Sequence, residues 1–212
     1  MFTRSRSRIA GMVMLLILFT AIDAWSAGTL FVRPLRSSQT YQQISIKRYN
    51  VQVDIDDHVA TTTVNQTFRN ELSGTVEATL VFPLPANAVI SDMRYFFNGV
   101  WYKADVRERK EAQEAYNKKL RKYLDPALLQ EIGDNVFKLN IAPIFGASDV
   151  QVQITYTEIL PFVLGRTEYK HLLRTTGVSP KPLEQMSMEI NVRGSGEFEF
   201  IQSPTHAFGP SH

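Results

Sequence analysis

The chain has 212 residues and no cysteine, with 23 basic and 21 acidic residues and a formal net charge of +2. The absence of cysteine excludes a thiol nucleophile, a thiolate metal site and a redox pair. Residues 1–26 hold three arginines and one aspartate, so the rest of the chain is neutral and lacks the basic face that a nucleic-acid-binding protein needs.

Residues 1–26 have the pattern of a secretory signal peptide. The three arginines precede a nearly unbroken apolar run from Ile9 to Ile22, which is shorter than the ~20 residues of a membrane-spanning helix. Ala24 and Ser26 supply the small residues that favour cleavage after Ser26. We therefore expect an exported protein that is periplasmic, envelope-associated or extracellular. The alternative is an uncleaved N-terminal anchor, which would be the only part of the chain to contact a membrane.

A mainly β domain is predicted over residues 44–202, after a polar lead-in at residues 27–43. Apolar and polar residues alternate with a period of two, which is typical of half-buried strands. The alternating segments begin near Val51, Thr63, Val76, Met93, Val100, Phe137, Val150, Met186 and Phe198. About ten short strands separated by turns favour an antiparallel β-sandwich. Residues 203–212 contain two prolines and a glycine and are predicted to be a C-terminal linker.

One segment breaks this period and predicts an inserted amphipathic α-helix. Between Asp105 and Leu124 the apolar residues recur at helical spacing along one face. These residues are Ala112, Ala115, Tyr116, Leu120, Tyr123 and Leu124. The proline of Asp125-Pro126 ends the helix, because proline cannot continue it.

The histidines do not form a catalytic constellation with their neighbours. Asp56, Asp57 and His58 could serve a metal-dependent hydrolase, but a calcium loop needs more oxygen ligands at regular spacing. A solvated turn is therefore the preferred interpretation. Ser203 and His206 could form a Ser–His pair in a hydrolase, but no acid is placed to orient the imidazole. We predict a non-enzymatic protein without a metal or cofactor.

His171 alternates with polar neighbours in a segment of strand-like sequence. It is predicted to be a surface or rim histidine.

Aromatic residues around Asn98-Gly99, the strongest short hairpin signal, form the remaining candidate site. Phe96 and Trp101 would face away from the core, and exposed large aromatic side chains mark contact with a partner. The same pair would suit a polysaccharide-binding sandwich as a stacking platform. The alternative is that the following helix covers them. If that helix is instead a mobile arm, its tyrosines join the surface, and the candidate contacts are Phe96, Trp101, Tyr116 and Tyr123.

Taken in order, several stretches resemble the VIT domain, the module of vault proteins and inter-alpha-trypsin inhibitor heavy chains. They are ATTTVNQTFRN at 60–70, VEATLVFPLP at 76–85, AVIS at 88–91, Asn98-Gly99, ERKEAQEAY at 108–116, VFKLNIAP at 136–143 and VQVQITYTEIL at 150–160. Arg69-Asn70 resembles part of the N-terminal signature of the family, and Tyr156-Thr157-Glu158-Ile159-Leu160 resembles its Tyr-x-Glu-x-Leu strand. Residues 125–129 and 203–206 resemble the bacterial branch.

The resemblance implies a β-rich interaction module with no catalytic residues to carry over. In this family a VIT domain usually precedes a von Willebrand A domain, whose metal site begins with Asp-x-Ser-x-Ser, and that pentapeptide does not occur here. We therefore expect either a stand-alone VIT protein or the front part of a VIT–von Willebrand A protein. The expected partner is a protein, for which a von Willebrand A domain is one candidate.

Overall fold

A computed structural model describes residues 28–36, 41–85, 87–103, 136–171, 179–195 and 201–207. These residues form twelve β-strands and no helix, which confirms the prediction of a mainly β protein. The described ranges accordingly contain no helical segment with the length and hydropathy of a membrane span. The leader, the predicted helix with Tyr116 and Tyr123, and the alternation at Phe198 lie outside the described residues.

The strands occupy most of the described chain. They are β1 (Thr29–Pro34), β2 (Gln42–Gln43), β3 (Ser45–Asp56), β4 (Val59–Arg69), β5 (Val76–Pro83), β6 (Val89–Phe97), β7 (Val100–Lys103), β8 (Val136–Ile144), β9 (Asp149–Ile159), β10 (Phe162–Val163), β11 (Arg166–Thr167) and β12 (Gln185–Arg193). Proline ends β5 at Pro83, as expected for a residue that cannot donate to the next strand.

The strands pair into two large sheets and one small hairpin. The first sheet has four strands in the order β2-β1-β5-β8, and the second has six in the order β12-β3-β4-β9-β6-β7. The strands β10 and β11 form a separate two-stranded ribbon. Alternate residues of both large sheets meet in one hydrophobic core, in which Leu30, Leu80, Phe68 and Ile154 are almost completely buried. This arrangement is a β-sandwich.

One strand pair differs from the antiparallel pattern expected from the sequence. The edge strand β12 runs parallel to β3, with Met186 opposite Tyr49 and Val192 opposite Ile55. A hydrogen bond just before β12 brings the two strands together: the backbone N–H of Glu184 donates to the carbonyl of Lys47 at 2.9 Å. Period-two alternation identifies a strand and its buried face but carries no information about its neighbour or direction.

Part of the predicted polar lead-in is a strand of the sandwich. Strand β1 lies between β2 and β5, and Leu30 and Val32 are fully buried. The neighbouring residues Thr29 and Phe31 are buried too, so the strand reads as a short apolar run without alternation. Strands buried on both faces lose the period-two signal.

Strand β5 is likewise buried on both faces. Its residues Ala78, Leu80 and Phe82 belong to the core between the sheets. Thr79 and Val81 alternate with them and point to the outer side of the four-stranded sheet, yet both are buried. The outer face of this sheet is therefore covered around these two residues.

Asn70 joins the end of β4 to the loop that follows β8. It is fully buried, and its side-chain amide donates to the carbonyls of Phe145 at 2.9 Å and Gly74 at 3.2 Å. Its side-chain oxygen accepts from the backbone N–H of Leu72 at 3.1 Å. The asparagine of the Arg69-Asn70 motif thus satisfies its own buried side-chain amide and links two loops to the end of β4.

Candidate functional site

The hairpin of β6 and β7 has the predicted turn. Asn98 and Gly99 both have positive φ, at 50° and 80°, which is the backbone of a two-residue type I′ turn. Phe96 lies opposite Trp101 across the two strands. Phe97 is buried in the core, so the opposite orientation of Phe96 that the sequence predicts is confirmed.

Phe96 and Trp101 form an aromatic pair on the outer side of this hairpin. Their ring centroids are 5.3 Å apart and the rings are tilted. The guanidinium of Arg94 lies 4.9 Å from the centroid of the Trp101 ring, and Nε of Arg94 donates to Oε1 of Gln153 at 2.9 Å. A cation over an indole ring is attracted by its negative face. Trp101 nevertheless stays 41% exposed, so it is held in place without being covered.

The other side of the same hairpin also carries a pair of aromatic rings. Tyr95 and Tyr102 are stacked with centroids 5.1 Å apart, and burial raises the pKa of Tyr95. Tyr102 is exposed, as are all four residues of β7. Among the described strands β7 pairs with β6 alone and carries aromatic residues on both faces, and these are the side-chain types that dominate protein interfaces.

The acidic turn makes structural contacts instead of converging on one point. The Asp57 carboxylate accepts from the backbone N–H of Ser195 at 2.8 Å, and this hydrogen bond lowers its pKa. His58 contacts Thr167, with Nδ1 and Oγ1 2.9 Å apart, and its ring lies against Phe162. Within the described part of the chain, no three His, Asp or Glu residues are grouped so that they could hold a metal ion.

Ser203 and His206 are close in space but not arranged as a nucleophile and its base. The hydroxyl of Ser203 accepts from the backbone N–H of His206 at 3.2 Å. The imidazole instead approaches Thr205, with Nδ1 3.0 Å from Oγ1. A general base must reach the proton that it removes, and here the ring faces a different hydroxyl.

His171 lies in a group of hydroxyl side chains on the inner side of the six-stranded sheet. Its Nε2 is 3.0 Å from the Tyr49 hydroxyl, and its Nδ1 is 3.3 Å from that of Tyr169 and 3.4 Å from that of Tyr156. The Tyr169 hydroxyl is in turn 2.9 Å from Oγ1 of Thr62. The prediction of a rim histidine missed this cluster, because three of its members come from strands that are distant in the sequence.

Burial governs the protonation of this cluster. It lowers the pKa of His171 to about 4 and raises that of Tyr169 to about 12. The imidazole is therefore neutral near pH 7 and has one N–H donor and one acceptor nitrogen. Glu158 lies outside these hydrogen bonds: burial raises its pKa, and its Oε1 has no hydrogen-bond partner among the described residues. A neutral, hydrogen-bonded cluster of this kind stabilises a unique core.

Comparison of the sequence with known proteins identifies one family model and several relatives. The family model described as "Vault protein inter-alpha-trypsin domain" matches residues 46–156. Inter-alpha-trypsin inhibitor heavy chain H4 of Sus scrofa is 27% identical over 184 residues, covering 83% of this chain and 19% of its own length. A von Willebrand factor A domain-containing protein of Dictyostelium discoideum is 26% identical, covering 87% of this chain and 19% of its own.

A third similar protein is protein mono-ADP-ribosyltransferase PARP4 of Homo sapiens, which is 26% identical over 113 residues, 53% of this chain and 7% of that protein. The chain therefore spans at most about a fifth of each of these three relatives.

Proposed function

The chain belongs to the VIT domain family, and on that premise we infer that it is a non-catalytic, exported protein-interaction module whose partner contacts the β6–β7 hairpin. The observation that carries this proposal is Trp101, which is fixed by Arg94 and Phe96 and is still 41% exposed. Tryptophan, tyrosine and arginine are the residues that most often dominate the binding energy of an interface. Export rests on the signal-peptide pattern of residues 1–26.

The candidate partner is a von Willebrand A domain. One relative has such a domain in its name, and its match covers 87% of the present chain. A partner domain elsewhere in the same protein, or on another protein, would meet the hairpin along β7, which ends the six-stranded sheet among the described strands. The interaction would then combine pairing along the edge strand with burial of the aromatic pair.

Photo-crosslinking in the source cells tests this proposal. Benzoylphenylalanine in place of Trp101 should crosslink to a polypeptide that contains a von Willebrand A domain. The same amino acid in place of Gln52, which is exposed on the distant strand β3, is the control and should give no such product. Equal products from both positions would contradict the hairpin as the contact surface, and a product without that domain would contradict the proposed partner.

A matched pair of substitutions separates binding from folding. W101A should abolish the crosslink from a neighbouring position while leaving the thermal midpoint nearly unchanged, because the ring is only partly buried. V100A removes a similarly exposed apolar side chain from the same strand and should leave both unchanged. Equal loss of crosslinking in the two variants would show that the aromatic pair is not the contact.

A polysaccharide is the second candidate ligand, because side-chain amides border the aromatic pair. Gln151 lies opposite Phe96, and Gln153 accepts the hydrogen bond from Arg94. Amide groups beside an exposed indole suit the hydroxyls and the apolar face of a sugar ring. Retardation of the protein in gels containing a polysaccharide, lost in W101A and kept in V100A, would favour this function over protein binding.

A further inference from the structure

A second hairpin projects from the opposite end of the six-stranded sheet and ends in exposed apolar residues. Strands β10 and β11 are joined by Leu164 and Gly165 alone. Phe162 is 59% exposed, Val163 63% and Leu164 95%. Successive strand residues point to opposite faces, so apolar side chains are exposed on both faces of this ribbon as well as at its apex. We call residues 162–167 the tip hairpin.

The apex is occupied by a residue that the backbone disfavours. Leu164 and Gly165 have φ of 52° and 77°, the same type I′ turn that Asn98 and Gly99 form at the other end of the sheet. Asparagine and glycine are the usual residues of this turn, whereas a bulky side chain at positive φ is an outlier. Leucine at the apex therefore does not serve the turn, and strained positions concentrate at functional sites.

More apolar side chains surround the base of the tip hairpin. Val59 lies directly opposite Ile159 in the β4–β9 pair, and Val89 lies opposite Thr157, two residues before Ile159 on β9. Val59, Val89 and Ile159 are all exposed. Exposed apolar side chains that accumulate at one end of a sheet favour interaction with a protein or a membrane.

From this geometry we propose that the tip hairpin inserts its exposed apolar side chains into the interfacial layer of a lipid bilayer, where headgroups and water can still satisfy the backbone of a two-stranded ribbon. The face that carries Phe162 and Thr167 contacts His58, whereas Val163 and the apex residue Leu164 stay exposed. A bilayer can accept side chains that point in several directions without a preformed socket. The tip hairpin is held against the sandwich by His58. The Phe162 ring centroid lies 4.7 Å from that of the His58 ring, and Thr167 contacts the same imidazole.

The charges near the tip fit a bilayer that is bound through apolar contact and not through lipid charge. Residues 161–165 carry no charge, and the first charged residue after the apex is Arg166, which lies directly opposite Val163. Arginine can extend its cationic head into the headgroup layer while its stem stays in apolar surroundings. Glu168 and Lys170 form an ion pair with each other at 3.2 Å, so this segment has little net charge to draw it to an anionic surface.

A single-cysteine label tests insertion directly, since the natural chain has no cysteine. The full chain carrying L164C labelled with the fluorophore NBD is mixed with phosphatidylcholine vesicles. We expect a shift of NBD emission to shorter wavelength and higher intensity. The matched control is N98C, which places the label at the corresponding position of the other type I′ turn, at the opposite end of the sheet. Any membrane contact made by residues 1–26 is common to both variants and cannot produce a difference between them.

The variant L164N separates insertion from folding. Asparagine suits positive φ, so the thermal midpoint should stay unchanged or rise. With the label moved to position 163 as V163C, the vesicle-induced shift should be lost when L164N is added. Equal shifts at positions 98 and 164, or no shift at 164, would overturn the proposal. A shift at 164 that depends on protein concentration without vesicles would show contact with a second protein molecule and would overturn it as well.

Discussion

The neutral His171 cluster makes the stability of the fold depend on pH between about 4 and 7. In the folded protein burial lowers the pKa of His171 to about 4, against 6.5 for an unperturbed histidine. Between these two pH values the unfolded chain binds a proton that the folded chain does not, so stability falls as pH falls. The full difference corresponds to about 3 kcal/mol, of which about 2 kcal/mol is lost by pH 5.

The substitution H171Q tests this reasoning. Glutamine keeps one donor group and one acceptor for the hydroxyls of Tyr49 and Tyr169 but does not titrate. Urea unfolding at pH 7, 6 and 5 gives the free energy of unfolding for both proteins. The wild type should lose about 2 kcal/mol more than H171Q between pH 7 and pH 5, whatever the cost of the substitution at pH 7. Equal losses in the two proteins would refute a buried neutral imidazole.

Other predictions concern the signature asparagine, the predicted helix, the leader and metal dependence. N70A should cost about 2 kcal/mol in urea unfolding, because it removes the hydrogen bonds of a fully buried side chain; a cost near zero would contradict these hydrogen bonds. If the helix predicted from the sequence packs on the sandwich through Tyr116 and Leu120, L120A should cost about 2–5 kcal/mol and K119A at most about 0.5 kcal/mol. Equal costs would exclude the apolar stripe as the buried face. N-terminal sequencing of the exported protein should begin at Ala27, and a product that retains Met1 would favour an anchor. A chelator should leave the thermal midpoint unchanged, whereas a large drop would indicate a structural metal.

The central strands could be predicted because one of their faces is buried and the other is partly exposed to solvent. Strands β3, β4 and β9 alternate between buried and partly exposed residues along their length, so each has the period-two signal that the sequence shows. Strand β1 could not be found in this way, since Leu30 and its neighbour Phe31 are both buried. Burial on both faces removes the alternation on which the prediction depends.

The two hairpins show the same limit for turns. Asn98-Gly99 announces a type I′ turn because both residues tolerate positive φ. Leu164-Gly165 has the same backbone but only its glycine is a turn residue, so local sequence gives a weak signal there. The tip hairpin can be identified only from the backbone conformation and exposure of Leu164 in the folded protein. His171 is a similar case, because its partners are assembled by strand pairing and not by spacing along the chain.

The residues that carry the family resemblance are largely those that hold the fold together. Asn70, Tyr156 and Leu160 are all buried, and each belongs to a motif quoted for the VIT domain. The exposed residues Trp101 and Leu164 lie outside those motifs. A fold can therefore be inherited while its partner changes, because function depends on sites carried by the fold and not on the fold itself. With the contacts proposed above, the two requirements would fall on different residues, so substitutions at Trp101 or Leu164 should change binding at nearly constant stability, whereas substitution of Asn70 should do the reverse.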